Sequence, residues 1–248
     1  MENELEALLN SGDLNLQKEK YMDAVRDYTK AYEIVGDSDE QMKADICYRL
    51  SQAYLSLERR NPENSLKFAK EALSIHERLG DEEMVVMDLL NIGYISFEGG
   101  RKEESESYYR RAIEISDRRE DPLLLCMSLN AMADFMVEAR NDPDGADRIY
   151  SRVMQIAEQT SDWENYFEAY RGRIEVLRKK GKEEEALKMA MEAIDRIDDV
   201  LGKIKNKKER RELRKGLSYI YDVASDIAME MEDVDNAIRI AQRMKDED

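Results

Sequence analysis

Apolar positions along the chain recur at helical spacing, and in each helical stretch one stripe is built mainly from small residues. A small residue is followed four positions later by an aromatic or Ala, and three positions after that by Ala, Val or Met. The stripe occurs at Ala24, Tyr28, Ala31; Ser65, Ala69, Ala72; Ser105, Tyr109, Ala112; Ala146, Tyr150, Val153; Ala186, Ala190, Ala193; and Ala237, Ala241, Met244. Offsets of four and three keep these side chains on one helix face, and small ones let a second helix approach closely. The first members lie 41, 40, 41, 40 and 51 residues apart, so a unit of about 40 residues is repeated six times.

Each unit carries two amphipathic stretches separated by a short polar break. This predicts twelve helices, at 3–18, 20–35, 39–57, 62–79, 82–98, 101–118, 122–139, 143–159, 162–179, 182–201, 206–230 and 233–245. Asn61-Pro62, Asp121-Pro122 and Asp142-Pro143 place a capping side chain before a residue of pre-set φ and mark helix starts. Ser38-x-x-Gln41 and Ser161-x-x-Glu164 read as capping boxes, while Gly36-Asp37 and Gly80-Asp81 end one unit and open the next. No unit can bury its two apolar faces alone. The expected fold is therefore all-α: a right-handed superhelical solenoid of six stacked helix-turn-helix units, 3–37, 38–80, 81–120, 121–160, 161–202 and 203–248, in one array over residues 1–248.

The third unit, from Asn91-Ile92-Gly93-Tyr94 through Gly99-Gly100-Arg101 to Tyr108-Tyr109-Arg110-Arg111-Ala112, resembles the tetratricopeptide repeat (TPR) almost position for position. Similar patterns cover nearly the whole chain. They are weakest in the first unit, where Gly12 interrupts a helix, and in the sixth, which follows an insertion of 11 residues. The period exceeds the common one of about 34 residues and is similar to the long-unit branch seen in kinesin light chains, vesicle-fusion attachment proteins and bacterial peptide-sensing regulators. The resemblance implies peptide or protein binding on the concave surface formed by each unit's first helix.

Composition narrows the chemistry. Charged residues make up 38% of the chain, aromatics 7%, and Gly and Pro are few, as suits a helix-rich protein. The acidic amino terminus has no signal-peptide pattern, and no apolar run reaches the roughly 18 residues of a membrane span. A cytoplasmic protein without a membrane partner is expected. The net charge of −17 disfavours nucleic acid as a partner. Cys47 and Cys126 read as reduced, buried thiols, and His76, the single histidine, as a partly exposed residue late in a helix. No phosphate-cradling loop, metal-ligand spacing or nucleophile with a base partner is present, so no enzyme activity, cofactor or metal is expected. Trp163 reads as packing between units.

Counting from the small stripes places Tyr48, Gln52 and Leu55 on the concave row of the second unit and Leu90, Tyr94 and Phe97 on that of the third. Asn130, Asp134 and Val137 follow in the fourth, Arg171, Glu175 and Arg178 in the fifth, and Asp222, Asp226 and Met229 in the sixth. The candidate binding residues are Tyr48, Gln52, Tyr94, Phe97, Asn130, Asp134, Arg171 and Arg178. Family members that clamp a terminal carboxylate use Lys and Asn on successive first helices; the corresponding places here hold Tyr48 and Gln52, then Leu90 and Tyr94, so that clamp is missing. The rows favour a protein or peptide with an apolar or basic segment.

Residues 203–215 depart from the general acidity, with eight basic and two acidic residues. The patch centred on Lys205, Lys207, Lys208, Arg210 and Arg211 suits nucleic acid, an acidic partner or the acidic face of a second copy. A plainer reading has these cations offset the nearby Asp195, Asp198 and Asp199. The expected function is a non-catalytic protein-binding scaffold or adaptor. The alternatives are the sensory or regulatory arm of a signalling or transcription system, or binding through the basic segment. The sequence leaves the oligomeric state open.

Overall fold

A computed structural model describes residues 2–57 and 62–245. Among these residues every regular element is a helix: α1 (Glu2–Gln17), α2 (Tyr21–Val35), α3 (Glu40–Leu57), α4 (Glu63–Leu79), α5 (Glu82–Glu98), α6 (Lys102–Arg118), α7 (Pro122–Phe135, continued by a π-helical turn at Met136–Arg140), α8 (Pro143–Thr160), α9 (Trp163–Lys179), α10 (Glu183–Lys203), α11 (Lys207–Gly216), α12 (Ser218–Glu230) and α13 (Val234–Lys245). The fold is an all-α, TPR-like arrangement of helical hairpins. It separates into two compact units, Met1–Ser128 and Leu129–Asp248.

In the first unit α1 packs on α2, α3 on α4 and α5 on α6, while α2 and α4 also cover the following first helices α3 and α5. One core joins the first two hairpins through Tyr28, Ile46, Leu50 and Ala53. A second joins α4, α5 and the start of α7 through Leu73, Val86, Leu89, Ile92, Ile95 and Leu124. In the second unit α8 packs on α9, α10 on both α9 and α12, and α12 on α13. Its interior is filled by Tyr150, Phe167, Ile174, Ile194, Ile197 and Leu201. Each such aliphatic or aromatic side chain contributes about 1.5–3 kcal/mol by leaving water.

The small stripe is what allows this packing. In the first five hairpins all of its members are buried. Opposite the stripe's aromatic, the first helix also narrows: a Cβ on Gly12 would fall 2.4 Å from the Tyr28 ring, and one on Gly93 would fall 2.5 Å from the Tyr109 ring. Gly12 is therefore the slot for Tyr28 rather than a defect in α1. The sixth stripe is an exception. In α13 Ile240 faces inward, while Ala241 is exposed and Met244 is 39% exposed.

Five junctions use a common device. A residue in the left-handed conformation ends one helix, and the Asp that follows caps the next. Gly80 precedes Asp81, Glu120 precedes Asp121, Asn141 precedes Asp142, Ser161 precedes Asp162 and Glu232 precedes Asp233. Each Asp accepts a hydrogen bond from the amide three residues on, at Met84, Leu124, Gly145, Asn165 and Asn236. The expected capping boxes are thus displaced by one residue. Ser38 donates to the Val35 carbonyl while Asp39 caps Met42, and Ser161 is the left-handed residue before the Asp162 cap. Pro62 itself occupies the N-cap of α4, and the Asn61 cap lies outside the described residues.

Three further expectations change. The helix expected over 206–230 breaks at Leu217, whose buried side chain and non-helical backbone (φ −97°, ψ 5°) separate α11 from α12 after Gly216. Pro122–Arg140 does reach membrane-spanning length and hydropathy. It is a core helix, with Leu124, Cys126, Leu129, Ala133 and Val137 buried. His76 is wholly buried rather than partly exposed, because it continues the stripe Ser65, Ala69, Ala72 by one further turn.

Candidate binding faces

In the first unit the open face of α3 carries Tyr48 and Gln52, and that of α5 carries Met87, Leu90, Tyr94 and Phe97. Tyr48, Gln52, Leu90 and Phe97 are half-buried, and Tyr94 is 49% exposed. Leu55, expected in the same row, is buried. Burial, followed by the nearby Asp88 carboxylate, pushes the Tyr48 phenol above its ordinary pKa.

Amides and hydroxyls beneath this face are fixed. Gln52 Nε2 donates to Asn91 Oδ1 at 2.6 Å, and Asn91 Nδ2 donates to Ser51 Oγ at 2.9 Å. The Ser51 hydroxyl donates to the Tyr48 carbonyl, while Ser65 on α4 donates to the Ser51 carbonyl. The chain of bonds holds Gln52 upright between two repeats, so little side-chain entropy remains to be lost when a ligand binds. Asn91 was not singled out in the sequence. Its signal is a polar residue amid the buried Leu89, Ile92 and Ile95 of α5.

Beside this network lies a second buried polar group. His76 Nδ1 stands 2.6 Å from Asp88 Oδ2, Gln41 Nε2 approaches His76 Nε2 at 3.4 Å, and neither His76 nor Asp88 reaches solvent. Burial pushes the Asp88 carboxyl up to about 6, against the pull of His76. The pair ties α4 to α5.

In the second unit Asn130 is buried and donates through Nδ2 to the backbone carbonyl and to Oδ1 of Asn165, both at 3.2 Å. Its own Oδ1 has no protein partner. Asp134 is half-exposed and accepts the Tyr150 hydroxyl at 2.5 Å. Withdrawal from water holds its carboxyl above the ordinary range, which the Tyr150 bond opposes. Arg171 Nε donates to Glu168 at 2.9 Å and lies 3.9 Å from Asp134. Arg178 donates to Glu230 at 2.7 Å and is flanked by Glu183 and Glu175. Val137, expected in the row, is buried. Both arginines are engaged by acids, and Asp222 and Asp226 stand exposed on α12, so this face is acidic. Trp163 packs edge-on to Tyr166 and beneath Arg196, within the second unit.

Lys205, Lys207, Lys208 and Arg211 are exposed and Arg210 half-buried. They lie on the turn before α11 and on α11 itself, away from the first-helix rows. Two of the three acids expected to offset them are engaged elsewhere: Arg243 on α13 pairs with Asp195 at 2.5 Å and with Asp198.

Residues 89–118, most of α5 and all of α6, match the family model of the tetratricopeptide repeat. No curated protein matches the chain. Among solved structures it is similar to aspartyl phosphate phosphatase F from Bacillus subtilis, with TM-score 0.69 and 14% identity over 98% of this chain and 70% of that one. It is similar to apo RapI at TM-score 0.65 and 15% identity, covering 98% of this chain and 99% of that one. NprR in complex with its cognate peptide NprX gives TM-score 0.63 and 16% identity over 97% of this chain and 65% of that one. At these identities the likeness is one of fold, and it places the chain among TPR-like helical repeat structures.

Proposed function

We propose that the chain is a cytoplasmic, non-catalytic scaffold that holds a peptide or protein segment on its first-helix faces. The observation that carries this reading is the pairing, in the first unit, of an exposed aromatic row with amides already fixed from below. Tyr48, Leu90, Tyr94 and Phe97 offer apolar contact, and the Gln52 amide, fixed from below by buried Asn91, is held ready for a backbone. In the second unit the buried, unpartnered Asn130 Oδ1 is an acceptor for a ligand amide, and Glu168 and Asp134 around Arg171 favour basic side chains. The shared fold with NprR, which holds a peptide, supports the same use. The burial of His76, Cys47 and Cys126 argues against catalysis by these groups.

The test is to select peptides that bind the wild-type chain from a random library and measure them against a Tyr48→Ala, Tyr94→Ala, Phe97→Ala variant. Binding should fall by about tenfold or more with the helical circular dichroism unchanged. Equal affinity in the variant would remove this face as the site.

A further inference from the structure

The insertion before the sixth repeat forms a helix at the margin of the repeat packing. α10 packs directly on α12, and α11 buries none of its residues. Asn206 fixes its start by accepting the amides of Lys208 and Glu209 at 2.9 and 3.3 Å. At 100° per residue the six basic residues Lys207, Lys208, Arg210, Arg211, Arg214 and Lys215 fall within one arc of about 160°. Lys207, Arg211 and Lys215, four positions apart, form an exposed line along it.

Among the described residues four of these cations have no ion-pair partner. Lys208 approaches Glu212 at 3.8 Å within the helix, but Lys207, Arg210, Arg211 and Lys215 form no ion pair. With Asp195 and Asp198 held by Arg243, α11 displays unneutralised positive charge on a chain of net charge −17.

The complementary line is on the next helix. Asp222, Asp226 and Glu230 are exposed at the same four-residue spacing on α12, with Met229, 60% exposed, in the same stripe. Asp222 and Asp226 form no ion pair among the described residues, and Glu230 meets only Arg178. Both lines rise by about 6 Å per step, so they match in pitch as well as in sign. α11 and α12 are consecutive and joined through buried Leu217, and among the described residues no ion pair links them. Nucleic acid fits less well: the chain carries a net charge of −17, and residues 203–216 contain no aromatic for base stacking.

We propose that α11 docks along α12 of a second copy of this chain, and reciprocally, giving a two-fold dimer held by two equivalent sets of charge pairs. In such an isologous contact each copy supplies both the cationic and the acidic line. The contact is electrostatic at its rim and gains apolar area from Met229.

The experiment is sedimentation velocity on the full chain across a concentration series, at low and high salt. The wild type should dimerise at low salt, with affinity weakened at least about tenfold at high salt. Lys207→Glu, Arg211→Glu, Lys215→Glu in one variant and Asp222→Lys, Asp226→Lys in another should each give a monomer with unchanged helical circular dichroism, since every residue involved is exposed. Mixed together, the two variants should form a heterodimer, because each then carries the charge the other lacks. A wild type that stays monomeric at low salt, a salt-independent dimer, or variants that fail to pair when mixed would overturn the proposal. So would a monomeric wild type that binds a short DNA duplex through α11.

Discussion

His76 and Asp88 stand 2.6 Å apart with no solvent contact on either side. Burial, reinforced by Asp45 and Asp81 and opposed by His76, raises the Asp88 carboxyl from its ordinary 3.8 to about 6. The folded chain therefore keeps a proton that the unfolded chain releases. The contribution of Asp88 to stability is full below about pH 4 and is lost as pH rises through about 6. It is on the order of 2–3 kcal/mol. Denaturant titrations at several pH values should show the wild type losing stability relative to Asp88→Asn over that window. Parallel curves for the two proteins would contradict the shift.

The close approach of Gly93 to Tyr109 gives a second expectation. Tyr109 is buried and cannot swing away from a new Cβ placed 2.5 Å from its ring. Gly93→Ala gains helix propensity of about 1 kcal/mol but overpacks the hairpin by more, so it should destabilise by roughly 1–2 kcal/mol. A rise in Tm would show that the hairpin has room.

At the junctions the left-handed residues Glu120 and Glu232 have φ of 53° and 55°. Glycine adopts this conformation without the Cβ penalty, so Glu120→Gly and Glu232→Gly should each stabilise by about 0.5–1 kcal/mol. Asp162→Ala, which removes a cap, should cost about 1 kcal/mol. Thermal unfolding distinguishes the opposite signs.

Tyr150→Phe deletes the bond to Asp134 and nothing else of comparable size. A loss of about 1–2 kcal/mol is expected. The Asp134 carboxyl, already held high by its surroundings, should titrate higher still because the bond that lowers it is gone. Carboxyl NMR reads this directly, and a downward move would be the wrong sign.

Much of this structure was legible in the sequence. The periodic small stripe and the polar breaks located eleven of the twelve expected helices to within a few residues, because each hairpin solves the same packing problem. Counting from that stripe also picked out Tyr48, Gln52, Tyr94 and Arg171, all of which are at least partly exposed on first helices. The break at Leu217 was hidden because Gly216 and Leu217 sit inside an unbroken helical period. His76 was misread because a histidine near a helix end suggests exposure; its place one turn beyond Ala72, where Val35 and Ser116 are also buried in their own hairpins, was the available sign. The Gln52–Asn91 and His76–Asp88 pairs join different helices, and only folding reveals them.

The π-helical turn at Met136–Arg140 has its own consequence. The Asp13–Tyr28 bond spans 15 residues, whereas the equivalent Asp134–Tyr150 bond spans 16. The surplus amino acid is wound into the end of α7 instead of bulging into the turn. Relative to the first hairpin, one extra residue is thus taken up without shifting the phase of α8, so such helix ends are where this architecture can accommodate a change of length.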